Sequence, residues 1–147
     1  MNKKILVING PNLNMLGIRQ PEIYGRDTYD SLLDMLRQEA QALGVSVSFF
    51  QSNHEGALVD AIQQAYYDGV DGIVINPGAY THTSVALLDA VKTVMIPTVE
   101  VHISDPDTRE EFRHISYIRE ACAATIKGRG LQGYKDAMAF LCGMWKK

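Results

Sequence analysis

The sequence predicts an α/β fold in which five parallel strands form a doubly wound sheet with helices on both faces. Short apolar runs alternate along the chain with longer amphipathic segments, which is the pattern of β-α-β units. The length of 147 residues suits one domain, predicted to span residues 1–147. Hydrophobic residues make up 46% of the chain, in the range of globular proteins with a buried core.

The first half of the chain supplies two strand–helix units. Residues 4–8 form a continuous apolar run, which is typical of a strand buried on both faces. Residues 28–43 carry apolar side chains at helical spacing, which predicts a helix that ends at Gly44. Residues 45–51 are predicted as the next strand. Residues 52–55 (SNHE) match a capping box, so a second helix is predicted to begin there. Its predicted inward side chains are Leu58, Ala61, Ile62 and Ala65.

The second half continues the alternation. Residues 72–76 are predicted as the third strand, and residues 83–94 as the helix that follows it. Residues 97–102 and 122–127 are predicted as the last two strands, and residues 131–145 as the final helix. Five such units in one short chain predict a flavodoxin-like sheet.

Residues 10–27 have no assignment to a helix or strand. They contain two prolines, three glycines and no clear periodicity, and a connection of this length in a small domain is usually functional. We predict that residues 17–27 form a lid over a site. Tyr24 lies there between Arg19 and Arg26, whose charges favour a tyrosinate that can remove a proton beside a carbonyl. A packed loop aromatic is the alternative for Tyr24.

Polar clusters follow three of the predicted strands, at residues 9–12, 76–84 and 100–104. The carboxyl ends of parallel strands meet at one edge of a sheet, and ligands bind there in open α/β proteins. The sequence therefore predicts a small-molecule site at this edge.

Glu100 and His102 lie two residues apart on one strand, so their side chains share a face. A carboxylate beside an imidazole fixes its tautomer and makes it a positioned general acid or base. A histidine with a purely structural hydrogen bond is the alternative. A metal site is not favoured, because no third ligand is suitably spaced.

Arg109 and Arg113 are four residues apart and would share one face of a helical turn. Their fork geometry suits a carboxylate or another oxygen-rich ligand. The alternative is a solvated face on which they pair with Glu110 or Glu111.

Several classes of protein are disfavoured by what the sequence lacks. It has no dinucleotide-binding glycine motif, no P-loop and no nucleophile elbow. A net charge of −3 argues against nucleic acid or anionic lipid as a partner, and no apolar run has the length of a membrane span. Cys122 and Cys142 show no metal or redox spacing, so we expect reduced thiols and a cytoplasmic protein.

Residues 9–25 read NGPNLNMLGIRQPEIYG, and this run resembles the N-terminal signature of type II 3-dehydroquinate dehydratases. Residues 76–84 (NPGAYTHTS), 100–104 (EVHIS) and 109–113 (REEFR) are similar to that family's other blocks and follow in the same order. Gln20 stands where the family often has glutamate. The resemblance covers essentially the whole chain. It implies cofactor-free removal of water from 3-dehydroquinate to give 3-dehydroshikimate through an enolate, in the shikimate pathway or in quinate breakdown.

The resemblance also implies roles for individual residues. Tyr24 matches the base, Arg19 the lid arginine that keeps it ionised, and Arg109 a second cation nearby. Asn12 matches the residue that stabilises the enolate, through a water molecule. His102 matches the general acid for the departing hydroxyl, with Glu100 orienting it.

Further matches concern substrate binding and assembly. Asn76 and the backbone amides of Ile103 and Ser104 correspond to a cradle for the substrate carboxylate. His82 and Arg113 correspond to ligands of the ring hydroxyls. Asp89 matches an aspartate that reaches the neighbouring subunit's site, and the family assembles trimers into dodecamers, so a homododecamer is expected.

Two classes of rival remain at this point. One is a flavin carrier or a phospho-receiver domain of the same fold. A flavin phosphate needs a hydroxyl-rich loop after the first strand, and a receiver needs acidic residues where Asn9 and Asn76 stand. The other rival is a lyase or isomerase of the same fold that acts on a different hydroxy-keto acid.

Overall fold

A five-stranded parallel sheet forms the centre of the computed structural model, which describes residues 2–18, 20, 22 and 27–146. The strand order is β2-β1-β3-β4-β5, and every neighbouring pair is parallel. This is the predicted doubly wound arrangement. The strands are β1 (Lys4–Asn9), β2 (Ser46–Gln51), β3 (Gly72–Asn76), β4 (Thr98–His102) and β5 (Ala124–Lys127).

Helices cover both faces of the sheet in the described residues. They are α1 (Tyr29–Leu43), α2 (Glu55–Tyr67), α3 (Val85–Val94) and α4 (Gln132–Trp145). Side chains of α1 and α4 form one apolar core, and those of α2 and α3 form the other. Alternation along β3 supplies both cores, because Val74 joins the first while Ile73 and Ile75 join the second.

Helix starts differ from the prediction in one respect. The predicted capping box at residues 52–55 is wrong, because His54 is the residue that precedes α2 and its side chain makes no capping bond. Instead, Ser52 Oγ accepts a hydrogen bond from the His54 amide at 3.0 Å. A reciprocal capping box lies at α1, where Thr28 and Ser31 each accept the other's backbone N–H. The sequence pattern misses it because a serine takes the place of the usual Glu or Gln.

The unassigned segment after β1 begins in close contact with the sheet edge. A short 3-10 turn, Leu13–Met15, buries Leu13, and Leu16 joins the same α1–α4 core. The Gly10 amide donates to the Asn76 carbonyl at 2.7 Å, and a Cβ on Gly10 would lie 2.3 Å from the Pro77 carbonyl oxygen. A glycine is therefore required where this loop crosses the end of β3.

The connection from β4 to β5 consists of three short 3-10 turns, Pro106–Thr108, Glu111–Arg113 and Ile118–Ala121. Arg109 lies between the first two in an extended conformation. The prediction that Arg109 and Arg113 share a helical turn is therefore wrong. The Asp105 side chain, which accepts from the Asp107 amide, and Pro106 at the first position start the first of these turns.

Two further expectations concern membranes and cysteines. In the described part of the chain, no helix is long and apolar enough to cross a membrane. Cys122 is half-buried and Cys142 is buried, and both are free thiols, as predicted. Burial raises the pKa of the Cys122 thiol to about 12.

Candidate active site

A cleft lies at the carboxyl edge of the sheet, where the sequence predicts a site. β3 and β4 and the loops after them provide most of its wall. It is lined by Leu13, Asn76, Gly78, His82, His102, Ile103, Ser104, Pro106, Arg109 and Arg113. Three segments that are distant in sequence thus converge, because parallel strands end at one edge.

The lining of the cleft is basic although the whole chain is acidic. Arg109 and Arg113 line it together with His82 and His102, and none of the described lining residues is acidic. The net charge of the chain is −3, so this positive lining is local. Such a cleft favours an anionic ligand.

His102 and Glu100 form a buried pair at the end of β4. The His102 Nε2 lies 2.5 Å from Glu100 Oε2, and the two side chains are 8% and 0% exposed. Because a carboxylate accepts, the imidazole donates from Nε2, which fixes the tautomer of a neutral ring. Proton exchange with the cleft then falls to Nδ1.

Four other side chains donate to Glu100. Ser116 and Thr81 donate to Oε2 at 2.7 and 3.2 Å, and Thr125 donates to Oε1 at 3.0 Å. Arg119 contributes Nε to Oε1 at 3.0 Å and Nη2 to Oε2 at 3.3 Å. Burial raises the pKa of Glu100, but the bonds from His102 and Arg119 outweigh it and hold that pKa well below its usual range. Glu100 is therefore an anion at neutral pH.

Asn76 is held by a hydrogen-bonded bridge between strand ends. Its Nδ2 donates to the Tyr134 hydroxyl at 2.9 Å, and that hydroxyl donates to Asn9 Oδ1 at 2.5 Å. Its Oδ1 accepts from the Gly78 amide at 3.1 Å. Burial raises the pKa of Tyr134, which keeps the hydroxyl protonated as a donor. The second N–H of Asn76 Nδ2 remains for a ligand in the cleft.

The backbone after β4 is oriented by the turn after β5. The Ile103 and Ser104 carbonyls accept from the Gly130 and Gly128 amides at 3.0 and 3.2 Å. A trans peptide directs its carbonyl and amide to opposite sides, so the Ser104 N–H points away from Gly130. An amide held in this orientation beside the end of β4 is a suitable donor for a carboxylate.

His82 faces the cleft as a neutral imidazole. Burial lowers its pKa, and nearby His102 and Arg113 lower it further, against a hydrogen bond to Ile115 that raises it. Its Nδ1 lies 2.7 Å from the Ile115 carbonyl, which only accepts, so Nδ1 carries the proton. Nε2 is then an acceptor, suited to a ligand hydroxyl.

Arg113 both pairs with a neighbouring glutamate and lines the cleft, so it fits the two alternatives that the sequence left open. Its Nε pairs with Glu110 Oε2 at 3.0 Å, and its guanidinium lies 5.0 Å from the Phe112 ring centroid. It also lines the cleft, with a side chain 20% exposed. Arg109 lines the cleft beside it.

Three predicted site residues of the described chain, Asn12, Asp89 and Glu100, do not line the cleft. Arg19 and Tyr24 lie outside the described residues. Asn12 is exposed in a left-handed conformation next to Leu13, and its amide donates to Asn53 Oδ1 at 3.0 Å. Asp89 is exposed on α3, away from this cleft. Glu100 does not line the cleft because His102 lies between Glu100 and the cleft.

The prediction missed the residues behind the site. Arg119, Ser116 and Thr125 bind Glu100, and Tyr134 bridges Asn76 to Asn9. No sequence motif marks them; Thr125 lies directly opposite Glu100 on β5, which the observed strand register shows. In the described ranges, no group of three or more His, Cys, Asp or Glu side chains could hold a metal ion.

Fold and site together define a doubly wound α/β protein with a basic cleft at the carboxyl edge of its sheet. The profile of the family Dehydroquinase class II matches residues 3–142. The chain therefore belongs to the class II dehydroquinase family, as its sequence motifs predict.

Individual relatives agree with this assignment. The chain is 58% identical to a 3-dehydroquinate dehydratase of Caldicellulosiruptor bescii over 136 residues, which are 92% of this chain and 94% of that protein. It is 55% identical to the Corynebacterium glutamicum 3-dehydroquinate dehydratase over 146 residues, 99% of this chain and 100% of that protein. The crystal structure of type II dehydroquinase from Butyrivibrio crossotus superposes with a TM-score of 0.94 at 53% identity, covering 95% of this chain and 97% of that one. Family membership thereby rules out the two alternatives of a flavin carrier and a phospho-receiver domain.

Proposed function

We propose that this protein is a hydro-lyase that converts 3-dehydroquinate to 3-dehydroshikimate and water, in the shikimate pathway or in quinate breakdown. Family membership and relatives of 55–58% identity over nearly the whole chain support the activity. A basic cleft supports a carboxylate substrate. The observation that carries the proposal is the His102–Glu100 pair, which opens onto that cleft.

The proposed reaction is a stepwise elimination. Tyr24, as tyrosinate, takes the proton alpha to the ketone, and the electron pair of that C–H bond moves onto the carbonyl as an enolate. When the carbonyl re-forms, a C=C bond forms between the alpha and beta carbons and the beta C–O bond breaks. His102 donates its proton to the departing hydroxyl, which leaves as water. Tyr24 then releases the proton it took and His102 takes up a proton, which restores the starting state without a cofactor.

The remaining predicted residues bind or stabilise. Asn76 and the amides of Ile103 and Ser104 cradle the substrate carboxylate, and the fixed orientations of the Asn76 side chain and of the Ser104 N–H support this role. His82 accepts from a ring hydroxyl through Nε2, and Arg113 binds another hydroxyl.

Three predicted residues act on the enolate end of the substrate. Arg19 keeps Tyr24 ionised and closes over the substrate, within a lid at residues 17–27. Arg109 is a second cation near Tyr24, and its place in the cleft wall supports that role. Asn12 stabilises the enolate through a water molecule, as electrostatic stabilisation of developing charge requires.

We further propose that residues 1–147 act as one catalytic domain in a homododecamer of four trimers, located in the cytoplasm. Asp89 then contributes to the site of a neighbouring subunit, which is consistent with its exposure away from its own cleft. Reduced cysteines, as at Cys122 and Cys142, suit that compartment. Light scattering should give a mass about twelve times that of the 16.3 kDa chain, and a monomer would contradict the assembly.

The test of the activity is direct. Purified protein is mixed with 3-dehydroquinate, and the ultraviolet absorbance of the conjugated enone product is followed. Steady product formation is expected, and none at micromolar enzyme would overturn the proposal. Borohydride added with substrate should leave activity intact, because none of the described lysines lines the cleft. Irreversible inactivation would instead indicate a lysine Schiff base.

A further inference from the structure

The carboxylate of Glu100 has a cationic partner besides the His102 imidazole. Arg119 approaches from the Ile118–Ala121 turn and binds both oxygens, with Nε on Oε1 and Nη2 on Oε2. A two-point contact of this kind fixes the carboxylate plane more firmly than a single bond. Glu100 is 0% exposed, whereas the Arg119 side chain is 34% exposed, so the arginine reaches from the surface to a buried anion.

The neighbouring residue on the same turn behaves differently. Glu120 points outward and pairs with Lys92 Nζ at 2.5 Å, and both side chains are at least half exposed. The turn therefore carries one ion pair that contacts the site through Glu100 and another that contacts only the surface.

The Arg119 charge on the far side of Glu100 also acts on the His102 proton that faces the cleft. In general, a carboxylate hydrogen-bonded to one nitrogen of an imidazole favours a proton on the other nitrogen, which here is Nδ1. The Arg119 guanidinium satisfies both oxygens of that carboxylate and adds a positive charge that opposes the imidazolium. Glu100 thus stays ionised and aimed at Nε2, while its hold on the His102 proton is weakened.

We propose that Arg119 is a positioning residue for the elimination, acting through Glu100 to orient His102 and to ease release of its proton to the departing hydroxyl. This inference rests on the proposed function, because it assigns Arg119 to the acid step of that reaction. Arg119 does not line the cleft, so its effect should appear in turnover and pH dependence rather than in substrate binding.

Other charged or titratable groups act on the same pair. In the described residues, His82, Arg109 and Arg113 face the cleft beside His102. Asp107 and Cys122 act on Arg119, and Lys127, which pairs with Asp107, stands opposite His102 on β5. These groups are unchanged in the variants below, so a difference between variants reports Arg119 itself.

The experiment compares the wild-type protein with Arg119→Gln, Arg119→Lys and the control Glu120→Gln. The pH dependence of kcat and kcat/KM is measured with 3-dehydroquinate. The limb of the pH–rate profile that belongs to His102 is the one that is lost in His102→Asn. In Arg119→Gln, this limb should move to higher pH by about half a unit or more, and kcat should fall roughly tenfold with little change in KM. Arg119→Lys should return the limb toward wild type, because the charge is restored.

Glu120→Gln should match the wild type in every parameter, since it removes only a surface pair. An Arg119→Gln enzyme with an unmoved limb and wild-type kcat would overturn the inference. If wild type and Glu120→Gln are themselves inactive, the proposed function fails instead, so the two failures are distinguishable.

A fallback covers the case in which Arg119→Gln does not fold because Glu100 loses its counterion. Glu100→Gln is then compared with the double variant Glu100→Gln/Arg119→Gln, in which no buried carboxylate is left unpaired. NMR titration of the His102 ring should show protonation at higher pH in the double variant, because the guanidinium charge is gone. Equal titration in the two variants would overturn the inference.

Discussion

Tyr24 is the residue whose chemistry the proposed elimination needs first, because proton removal alpha to the ketone precedes loss of water. Replacement by phenylalanine keeps the ring and deletes the base. We expect Tyr24→Phe to lower kcat by about 10²-fold or more, in line with the usual contribution of a general base. Enone absorbance measures the rate, and far-ultraviolet circular dichroism should match the wild type.

Tyr67→Phe is a matched control for this variant. Tyr67 lies at the end of α2 with 78% of its surface exposed, far from the cleft-lining residues. The Tyr67→Phe variant should retain the wild-type kcat. If Tyr24→Phe turns over as fast as Tyr67→Phe, another group is the base.

Residue pairs on one strand are predictable, whereas partners brought together by the fold are not. The spacing of Glu100 and His102 predicts a shared face, and their atoms lie 2.5 Å apart. Arg119 comes from an irregular turn 19 positions along the chain, and its position depends on how that turn packs. Tyr134 is similar, since helical periodicity predicts its burial but not the strand-end amides that its hydroxyl binds.

At the scale of elements, the crossing of two loops at the ends of β1 and β3 determines the shape of the cleft. Gly10→Ala would place a methyl group 2.3 Å from the Pro77 carbonyl oxygen, a backbone atom that cannot turn aside. We expect a loss of about 1–3 kcal/mol in the free energy of unfolding, together with reduced turnover, because the loop must shift beside Asn76. Denaturant unfolding at fixed protein concentration measures this change in the free energy of unfolding.

Gly143→Ala is the control at this scale. A Cβ on Gly143, in α4, would meet no atom within 4 Å, so the variant should be as stable as wild type or gain up to about 1 kcal/mol. Equal stability of Gly10→Ala and wild type would show that the two loops separate at little cost.

Long periodic elements were predictable because each carries its own signal. All five strands and four helices of the described chain lie within a few residues of their predicted bounds, since apolar runs and helical spacing are local features. The β4–β5 connection was not predictable, because 3-10 turns of three or four residues are too short to show a periodic pattern. The two arginines predicted to share a helical turn still line one cleft, although separate turns place them there.

At the scale of the whole molecule, one chain brings together the His102–Glu100 pair and a basic wall, but not Asp89. Asp89 lies on α3 with its side chain exposed. A site completed by a neighbouring subunit would explain why this aspartate matches the family while lying away from its own cleft. Such a shared site makes activity depend on assembly, which can be tested without knowing the interface.

The test mixes two variants that are each impaired. Asp89→Asn chains keep Tyr24, and Tyr24→Phe chains keep Asp89, so a site formed by Tyr24 of one chain and Asp89 of its neighbour is intact only in a mixed oligomer. After joint unfolding and refolding of equal amounts, random assembly in a cyclic trimer should restore about one quarter of the wild-type sites. The measured rate should rise above the sum of the separately refolded variants. If Asp89 acted within its own chain, every mixed site would lack one group, and mixing would add nothing.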